Sequence, residues 1–309
     1  MYYNNVLEII GNTPMVRINK LTEKGDATVL TKLEMLNPSG SIKDRIAKYM
    51  IEKAEKKGSL KSDSIIVEPT TGNTGIALAM LATIKDYKMI AVMPEGMSEE
   101  REMMIQAFGA DVLLIPNGGE VDVKFAIKKA EEMSKNNSKI FSPNQFKNMD
   151  NVIAHRETTG KEILDQTNGS IDVFVAGVGT GGTLVGVAQA MKEKIPKVRI
   201  VAVEPVNSSV LSGGKPGQHK IQGIGEGFIP RVLKSGLNLI DEIITVTDNE
   251  AIDMTRRLAK EEGILAGISS GANMFAALKI AKKLGKGKTV VTIFPDRGER
   301  YFSNNVFKY

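Results

Sequence analysis

The sequence predicts an α/β protein made of two doubly wound open-sheet domains. Short apolar runs alternate along the chain with amphipathic segments of about 10–15 residues, which is typical of parallel sheets covered by helices. In each half of the chain, a glycine-rich loop follows a predicted strand and opens a predicted helix. We therefore expect ligands to bind at the carboxyl ends of the strands.

Composition and charge indicate an ordinary globular protein. The chain has 309 residues, of which 42% are hydrophobic and 25% charged. Its net charge of +5 is distributed over mixed sequences such as residues 128–132, which favours solvated helix faces over a nucleic-acid surface. Cysteine is absent, and the only histidines are His155 and His219. We predict no disulfide, no metal site and no nucleic-acid partner.

The start of the chain and its apolar runs bear on localisation. Met1 leads directly into Tyr-Tyr-Asn-Asn, without the basic and apolar regions of a signal peptide. The longest apolar runs are far shorter than a membrane span. We expect a cytoplasmic protein without a membrane partner.

Strands and helices alternate along the whole chain. In the first half, strands are predicted at 29–34, 64–68, 89–93 and 111–115, and helices within 37–54 and at 73–84, 98–108 and 120–134. In the second half, helices are predicted at 153–166, 181–194, 248–262 and 271–284, and strands at 172–176, 199–203, 242–246 and 289–294. The glycine-rich segment 212–227 shows little periodicity and is either a functional flap or a long connection.

Lys43 lies on the apolar face of the first predicted helix. Pro38 and Gly40 mark a loop, and Ser39 or Ser41 can accept a hydrogen bond from a free amide of the first helical turn. At ~100° per residue the apolar stripe comprises Ile42, Ile46, Ala47, Met50, Ile51 and Ala54, and the opposite side comprises Asp44, Arg45, Lys48, Glu52 and Glu55. Lys43 falls in the middle of the apolar stripe.

An inward lysine at a helix N-terminus is a candidate nucleophile. Desolvation and the positive end of the helix both disfavour the ammonium form of Lys43 and so lower its pKa. A neutral amine forms Schiff bases with carbonyls, including the aldehyde of pyridoxal phosphate. The alternative is a lysine that extends its ammonium group to water along an apolar surface.

Two glycine-rich loops are candidate anion cradles. Residues 69–75 (Pro-Thr-Thr-Gly-Asn-Thr-Gly) bring hydroxyls, an amide and backbone N–H groups to a helix start, although an ordinary threonine-capped turn is the alternative. Residues 177–183 (Gly-Val-Gly-Thr-Gly-Gly-Thr) satisfy Gly-x-Gly-x-x-Gly, and Glu204 ends the next strand where a dinucleotide-binding fold has its ribose-binding acid. Thr180 and Thr183 add hydroxyl donors that suit a compact monophosphate.

Near the C-terminus, residues 267–271 (Gly-Ile-Ser-Ser-Gly) place two serines before a predicted helix. Helix capping is the alternative to a functional role, but it explains one serine and does not require the pair.

Five motifs, in order and spacing, resemble those of the cysteine synthase family, whose members are fold type II pyridoxal phosphate enzymes. They are residues 37–45 (Asn-Pro-Ser-Gly-Ser-Ile-Lys-Asp-Arg), 71–75 (Thr-Gly-Asn-Thr-Gly), 179–183 (Gly-Thr-Gly-Gly-Thr), 219–225 (His-Lys-Ile-Gln-Gly-Ile-Gly) and 267–271. The similarity extends from residues 10–14 to residues 298–301 and covers essentially the whole chain.

The resemblance implies a site for pyridoxal 5′-phosphate. Lys43 would hold the cofactor covalently and later move the Cα proton of the substrate, Asn73 would bond to the ring O3′, and Ser269 would face the pyridine nitrogen. The phosphate would be held by Gly179, Thr180, Gly181, Gly182 and Thr183. The substrate carboxylate would be held by Thr70, Thr71, Gly72, Thr74 and Gln145.

The resemblance also implies the reaction and the assembly. The enzyme would be a homodimeric transferase that performs β-replacement, from O-acetyl-L-serine and sulfide to L-cysteine and acetate. A smaller mobile domain, residues 38–148, would close on a larger domain formed by residues 1–37 and 149–309. In some family members the C-terminal tail of serine acetyltransferase docks in the active site, which makes it a possible partner.

Alternatives remain open at this point. Cystathionine β-synthase and O-phosphoserine sulfhydrylase share the fold, although residues 219–225 are of the acetylserine type. An NAD-dependent dehydrogenase would explain residues 177–182 but neither Lys43 nor the loop around Asn73. Two departures from the family pattern leave substrate preference open. Thr71 stands where serine is usual, and Glu226 stands where alanine is common.

Overall fold

The computed structural model describes residues 2–116 and 123–308 and forms two β-sheets. The strands of the described residues are β1 Met15–Arg17, β2 Thr28–Leu33, β3 Ile65–Pro69, β4 Lys88–Pro94, β5 Asp111–Ile115, β6 Ile140–Phe141, β7 Val173–Gly177, β8 Arg199–Pro205, β9 Glu242–Val246 and β10 Thr289–Phe294. One sheet has the strand order β1-β2-β10-β7-β8-β9, and the other has the order β5-β4-β3-β6. Within both sheets, neighbouring strands are parallel except for β1 and β2.

Helices connect the strands throughout the described residues. They are α1 Lys43–Lys56, α2 Asn73–Ile84, α3 Glu99–Ala107, α4 Val123–Asn136, α5 Asp150–His155, α6 Lys161–Gln166, α7 Gly182–Lys194, α8 Arg231–Lys234, α9 Asp248–Glu262 and α10 Ile268–Leu284. A π-helical turn over Arg156–Gly160 joins α5 to α6. This alternation confirms the predicted α/β class. In the part of the chain that the structure describes, no helix has the length and apolar character needed to cross a membrane.

Local sequence explains why the elements begin and end where they do. Residues 173–176 are apolar at successive positions, and all four are buried, as expected for a parallel strand covered on both faces. A capping box between Thr247 and Glu250 opens α9, and Gly263 ends it in the left-handed conformation at φ +71°.

Most predicted elements are confirmed to within a few residues. The observed bounds of α2, α9, β5, β9 and β10 coincide with the predicted ones. The start of α10 is a correction, because the helix begins at Ile268 and therefore contains Ser269 and Ser270 in its first turn. The helix predicted at 120–134 is observed as α4, and its predicted start at Glu120 lies outside the described residues.

The lysine helix α1 confirms the apolar stripe, and two residues opposite the stripe are buried as well. Every predicted member of the stripe is buried. Asp44 and Arg45, which helical periodicity places opposite the stripe, are only 0% and 4% exposed. Arg45 forms ion pairs with Glu34 and Glu162, and Asp44 accepts a hydrogen bond from the Ser39 amide over 2.7 Å. Helical periodicity cannot detect such buried partners, because it considers one helix alone.

The carboxyl ends of strands from both sheets meet at one cavity. The residues that follow β3, β7 and β10 line it, among them Thr70, Gly179 and Pro295. The helix α1 starts beside this cavity because the Ile42 amide donates to the Pro295 carbonyl over 2.8 Å. All four strands of the smaller sheet fall within residues 38–148. The division into a mobile and a larger domain stays a prediction.

Candidate active site

The predicted site residues come together around the cavity between the two sheets. It is lined by Lys43, Thr70, Thr71, Asn73, Thr74, Gln145, Gly179, Thr180, Gly181, Thr183 and Ser269. Gly72 and Gly182 lie in the same loops but do not line it. A second, larger cavity adjoins the first and shares Thr71, Gln222 and Glu226 with it.

Lys43 is the first residue of α1 and is half-buried. Its amide donates to Ser41 Oγ over 3.2 Å, as predicted for a serine at this helix start. Burial lowers the pKa of Lys43 below its ordinary value, and the negative charges of Asp296, Glu226 and Glu34 oppose part of this shift. The direction agrees with the sequence prediction, and it favours the neutral, nucleophilic amine.

The loop after β3 is held by its own threonine. Thr70 Oγ1 accepts hydrogen bonds from the amides of Gly72 and Gly75 over 2.9 Å and 3.2 Å. Gly72 adopts φ +138°, and a Cβ at this position would overlap the side chain of Arg101. A glycine is therefore required for both the turn and the close approach of that arginine.

Thr74 and Gln145 are joined in the same region. Thr74 Oγ1 donates to Gln145 Oε1 over 2.6 Å. The carboxylate of buried Glu68 accepts the amides of Asn144 and Gln145 over 2.7 Å and 2.9 Å, and so fixes the turn that carries Gln145. Burial raises the pKa of Glu68 to about 8, although both amide hydrogen bonds oppose the shift. Sequence reasoning missed Glu68 because, in the sequence, Glu68 is a single polar residue at the end of a predicted strand.

Asn73 connects the smaller sheet to residues after β10. Its Nδ2 donates to Asp296 Oδ2 over 2.7 Å, and its Oδ1 accepts from Arg300 Nη1. Asp296 Oδ2 also accepts from the Tyr301 hydroxyl over 2.8 Å. The sequence motif indicated Asn73, but nothing in it indicated that these more distant partners orient the side-chain amide.

Arg101 is the most prominent lining residue that sequence reasoning missed. It extends from α3, is 1% exposed, and donates to the Tyr301 hydroxyl over 2.9 Å and to Gln222 Oε1. Its guanidinium lies 3.9 Å from Asp296 Oδ2. The only available signal was its place in the polar start of a predicted helix, and that position favours a solvated side chain.

The glycine loop after β7 has two positions, Gly179 and Gly181, at which a side chain would not be accommodated. Gly181 adopts φ +88°, and a Cβ at Gly179 would overlap the Gly223 carbonyl oxygen. Beneath the loop, Asn151 Nδ2 lies 3.1 Å from Thr180 Oγ1, and His155 Nε2 lies 3.2 Å from Thr183 Oγ1. The loop therefore combines backbone amides at the start of α7 with two positioned hydroxyls.

The structure argues against a dinucleotide site at this loop. Glu204 is 3% exposed, and its carboxylate accepts the amides of Leu211 and Ser212 over 2.9 Å and 2.8 Å. The acid that a ribose would require is thus engaged by the following turn. Over residues 2–116 and 123–308, no three His, Cys, Asp or Glu side chains are grouped in a way that could hold a metal ion.

Ser269 lines the cavity from the first turn of α10 and is 4% exposed. The residue at the N-cap position is Gly267 and no side chain caps the helix, so capping explains neither serine. A Cβ at Gly267 would overlap Asp296 Oδ1 and lie 2.6 Å from the Tyr301 ring, which explains the glycine.

Comparisons with known proteins identify the family of this chain. The family model described as pyridoxal-phosphate dependent enzyme matches residues 6–296. A cysteine synthase of Staphylococcus aureus is 52% identical, covering 99% of this chain and 97% of the relative.

Two solved structures have nearly the same fold. A cysteine synthase of Entamoeba histolytica has a TM-score of 0.94 at 42% identity, covering 100% of this chain and 92% of that one. An O-acetylserine dependent cystathionine β-synthase of Helicobacter pylori has a TM-score of 0.94 at 41% identity, covering 99% of both chains. The chain therefore belongs to the pyridoxal-phosphate dependent enzymes of fold type II, within the cysteine synthase family.

Proposed function

We propose that this protein is a cysteine synthase, a transferase that converts O-acetyl-L-serine and sulfide to L-cysteine and acetate. The observation that carries the proposal is the convergence of the Lys43 amine, the loop at 70–74 and the loop at 179–183 on one cavity. The similarity to the Staphylococcus aureus cysteine synthase over nearly the whole chain supports the choice of reaction.

The residues that line the cavity suit both the aldehyde and the phosphate of pyridoxal phosphate. The Lys43 amine suits covalent attachment of the aldehyde. The phosphate suits residues 179–183, where backbone amides at the start of α7 and the hydroxyls of two threonines are available as donors. We assign the ring O3′ to Asn73 and the ring nitrogen to the Ser269 hydroxyl. Gly182 contributes through the backbone at the start of α7.

Lys43 performs the proton transfers in the proposed reaction. Bound pyridoxal phosphate supplies a ring that withdraws electrons from the Cα of an attached amino acid. Lys43, displaced from the cofactor by the amino group of O-acetylserine, would be a free amine and would take the Cα proton. The electrons of the Cα–H bond would form a Cα–Cβ double bond as acetate leaves with the electrons of the Cβ–O bond. Hydrosulfide then forms the Cβ–S bond, and Lys43 returns the proton to Cα. The burial that lowers the Lys43 pKa favours the neutral amine that accepts this proton.

We assign the substrate carboxylate to residues 70–74 and Gln145. Thr70 Oγ1 already accepts two amides, so its own proton is available for donation. Thr74 donates to Gln145 Oε1, and a substrate carboxylate would replace that acceptor. Half-buried Thr71 lines both cavities, whereas Gly72 provides the turn and donates its amide within the loop.

The remaining proposals concern assembly and motion. We propose a cytoplasmic homodimer in which residues 38–148 close over the bound substrate. Contacts between the two units, such as Asn73 with Asp296 and Arg101 with Tyr301, are the kind that closure would form and opening would break. The C-terminal tail of serine acetyltransferase is a proposed partner at the active site, whose cavity shares Thr71, Gln222 and Glu226 with the adjoining larger one.

A matched substrate panel tests the function. Purified holoenzyme is supplied with O-acetylserine and sulfide, O-phosphoserine and sulfide, or O-acetylserine and homocysteine, and the amino-acid products are quantified. We expect cysteine from the first pair at the highest kcat/KM. Cystathionine as the main product would instead give this chain the activity named for its Helicobacter pylori relative. Absence of turnover with every pair would refute β-replacement.

A further inference from the structure

The helix α5 presents two buried polar side chains to the underside of the glycine loop. Asn151 and His155 are four residues apart and therefore share one face of the helix. They are 0% and 1% exposed. Asn151 Nδ2 lies 3.1 Å from Thr180 Oγ1, and His155 Nε2 lies 3.2 Å from Thr183 Oγ1. Each threonine of the loop thus has one polar partner below it.

The geometry at Thr180 fixes the direction of its hydroxyl. Its oxygen accepts from Asn151 Nδ2 and from the Gly182 amide over 3.1 Å and 3.3 Å. With two donors directed at the oxygen, the single hydroxyl proton of Thr180 is free to point into the cavity. A phosphate accepts hydrogen bonds from such a proton and offers none in return.

The geometry at Thr183 depends on the tautomer of His155. The His155 Nδ1 lies 2.9 Å from Thr159 Oγ1, on the side of the ring away from the loop. If Nδ1 carried the proton, Nε2 would be an acceptor, and Thr183 would direct its proton away from the cavity. If Nε2 carries the proton, Thr159 donates to Nδ1, Nε2 donates to Thr183, and the Thr183 proton is free for the phosphate.

We propose that Asn151 and His155 are positioning residues that orient the hydroxyls of Thr180 and Thr183 as donors to the cofactor phosphate, with His155 in the Nε2–H form. This inference rests on the proposed assignment of the phosphate to residues 179–183. Thr159 completes the row by donating to Nδ1. A neutral hydrogen-bond relay of this kind adds directed donors to the amides at the start of α7 without adding a cation.

The surroundings of His155 keep its ring neutral, as the relay requires. Burial lowers the pKa of His155 well below its ordinary value, and the positive charge of Arg45 lowers it further. The negative charge of Glu162 opposes the shift to a smaller extent. A neutral ring has one donor and one acceptor, which matches its two threonine partners.

The tautomer is measurable in the unmodified holoenzyme. Long-range proton–nitrogen correlation spectra of ¹⁵N-histidine-labelled protein separate the Nε2–H form from the Nδ1–H form. The chain has only two histidines, and the His219→Gln variant identifies the other ring. We expect Nε2–H for His155, and an Nδ1–H or doubly protonated ring would overturn the proposal.

Cofactor affinity tests the relay independently of activity. Apoprotein is titrated with pyridoxal phosphate, and the bound phosphate is followed by ³¹P spectroscopy. His155→Met removes the donor and should weaken binding by about tenfold, whereas His155→Gln retains an amide donor and should stay within about threefold of wild type. In a Thr183→Val background, His155→Met should change the affinity by less than about twofold, because the relay acts only through Thr183.

The outcomes separate the two levels of the proposal. Wild-type affinity in Thr183→Val would refute the phosphate assignment itself. Weakened binding in Thr183→Val with unchanged binding in His155→Met would refute the relay alone. Circular dichroism of each apoprotein establishes folding, and if His155→Met does not fold, the tautomer of the unmodified enzyme decides.

Discussion

Replacing Arg45 with methionine removes one cation from a buried network at the start of α1, two residues after Lys43. Arg45 Nε and Nη2 donate to the two carboxylate oxygens of Glu34 over 2.6 Å and 2.8 Å. Its Nη1 and Nη2 donate to Glu162 over 2.6 Å and 2.7 Å, and Lys32 pairs with the same Glu162 carboxylate over 2.8 Å. Methionine fills similar volume but leaves Glu34, which is 0% exposed, without its bidentate partner.

The expected loss follows from that unpaired charge. Breaking a buried ion pair by removing one partner costs ~3–5 kcal/mol of unfolding free energy. Arg257 provides the control, because its pair with Glu261 is exposed, with side chains 49% and 36% accessible. Arg257→Met should cost no more than ~0.5 kcal/mol. Adding Glu34→Gln to Arg45→Met should recover at least ~1 kcal/mol, because the buried charge is then absent.

The pH dependence of unfolding reports on the same network. Burial would raise the pKa of Glu162, but the ion pairs with Arg45 and Lys32 prevail and lower it from 4.5 to about 2. A carboxylate with a lowered native pKa contributes stability above its unfolded pKa, and this contribution is lost as the pH falls from about 4.5 towards 2. The free energy of unfolding, measured with denaturant between pH 7 and pH 3, should fall as the pH is lowered in wild type and should fall less in Arg45→Met. Equal losses of unfolding free energy in Arg45→Met and Arg257→Met at pH 7 would refute the reasoning.

Substitutions at three further positions test the substrate site, the ring-nitrogen partner and donor selection. Thr74→Ala should leave the visible spectrum of the resting holoenzyme intact but weaken O-acetylserine binding by about tenfold, because a donor to the substrate carboxylate is lost. An unchanged spectral titration with O-acetylserine would remove Thr74 from the substrate site. Ser269→Ala should lower the single-turnover rate of acetate release modestly. Ser269→Asp should lower this rate much more, because aspartate buries a charge beside the ring. Acetate release at the wild-type rate in Ser269→Asp would show that another residue lies opposite the ring nitrogen. Glu226→Ala should raise the kcat/KM for O-phosphoserine, relative to that for O-acetylserine, about fivefold, because ~1 kcal/mol of repulsion between the Glu226 carboxylate and the substrate phosphate is removed. An unchanged ratio of the two kcat/KM values would exclude Glu226 from donor selection.

The fold was largely predictable because its signals are local. The apolar runs of the parallel strands, the capping box of α9 and the glycines at the strand-to-helix turns each act within a few residues. The errors arose where a partner distant in sequence decides the outcome. Arg45 lies on the polar side of α1 by periodicity, yet it is buried because Glu34 and Glu162 meet it there.

The candidate site likewise contains residues that local sequence motifs indicated and residues that only tertiary contacts reveal. Lys43 and the two glycine loops carry sequence motifs, and the structure brings them to one cavity. Arg101 and Glu68 escaped notice because their importance depends on tertiary contacts. Arg101 reaches Tyr301 across 200 positions, and Glu68 receives the amide of Gln145 across 77. No periodicity or spacing rule encodes such pairs.

Covalent trapping of the cofactor tests most directly whether Lys43 is the catalytic lysine. The holoenzyme is reduced with borohydride, digested, and mapped by mass spectrometry for the pyridoxyl-modified peptide, with Lys43→Ala treated in parallel. We predict that the modification lies on Lys43 in wild type and is absent from Lys43→Ala, even where that variant still binds the cofactor noncovalently. A modification on any other lysine in the wild-type enzyme would contradict the assignment.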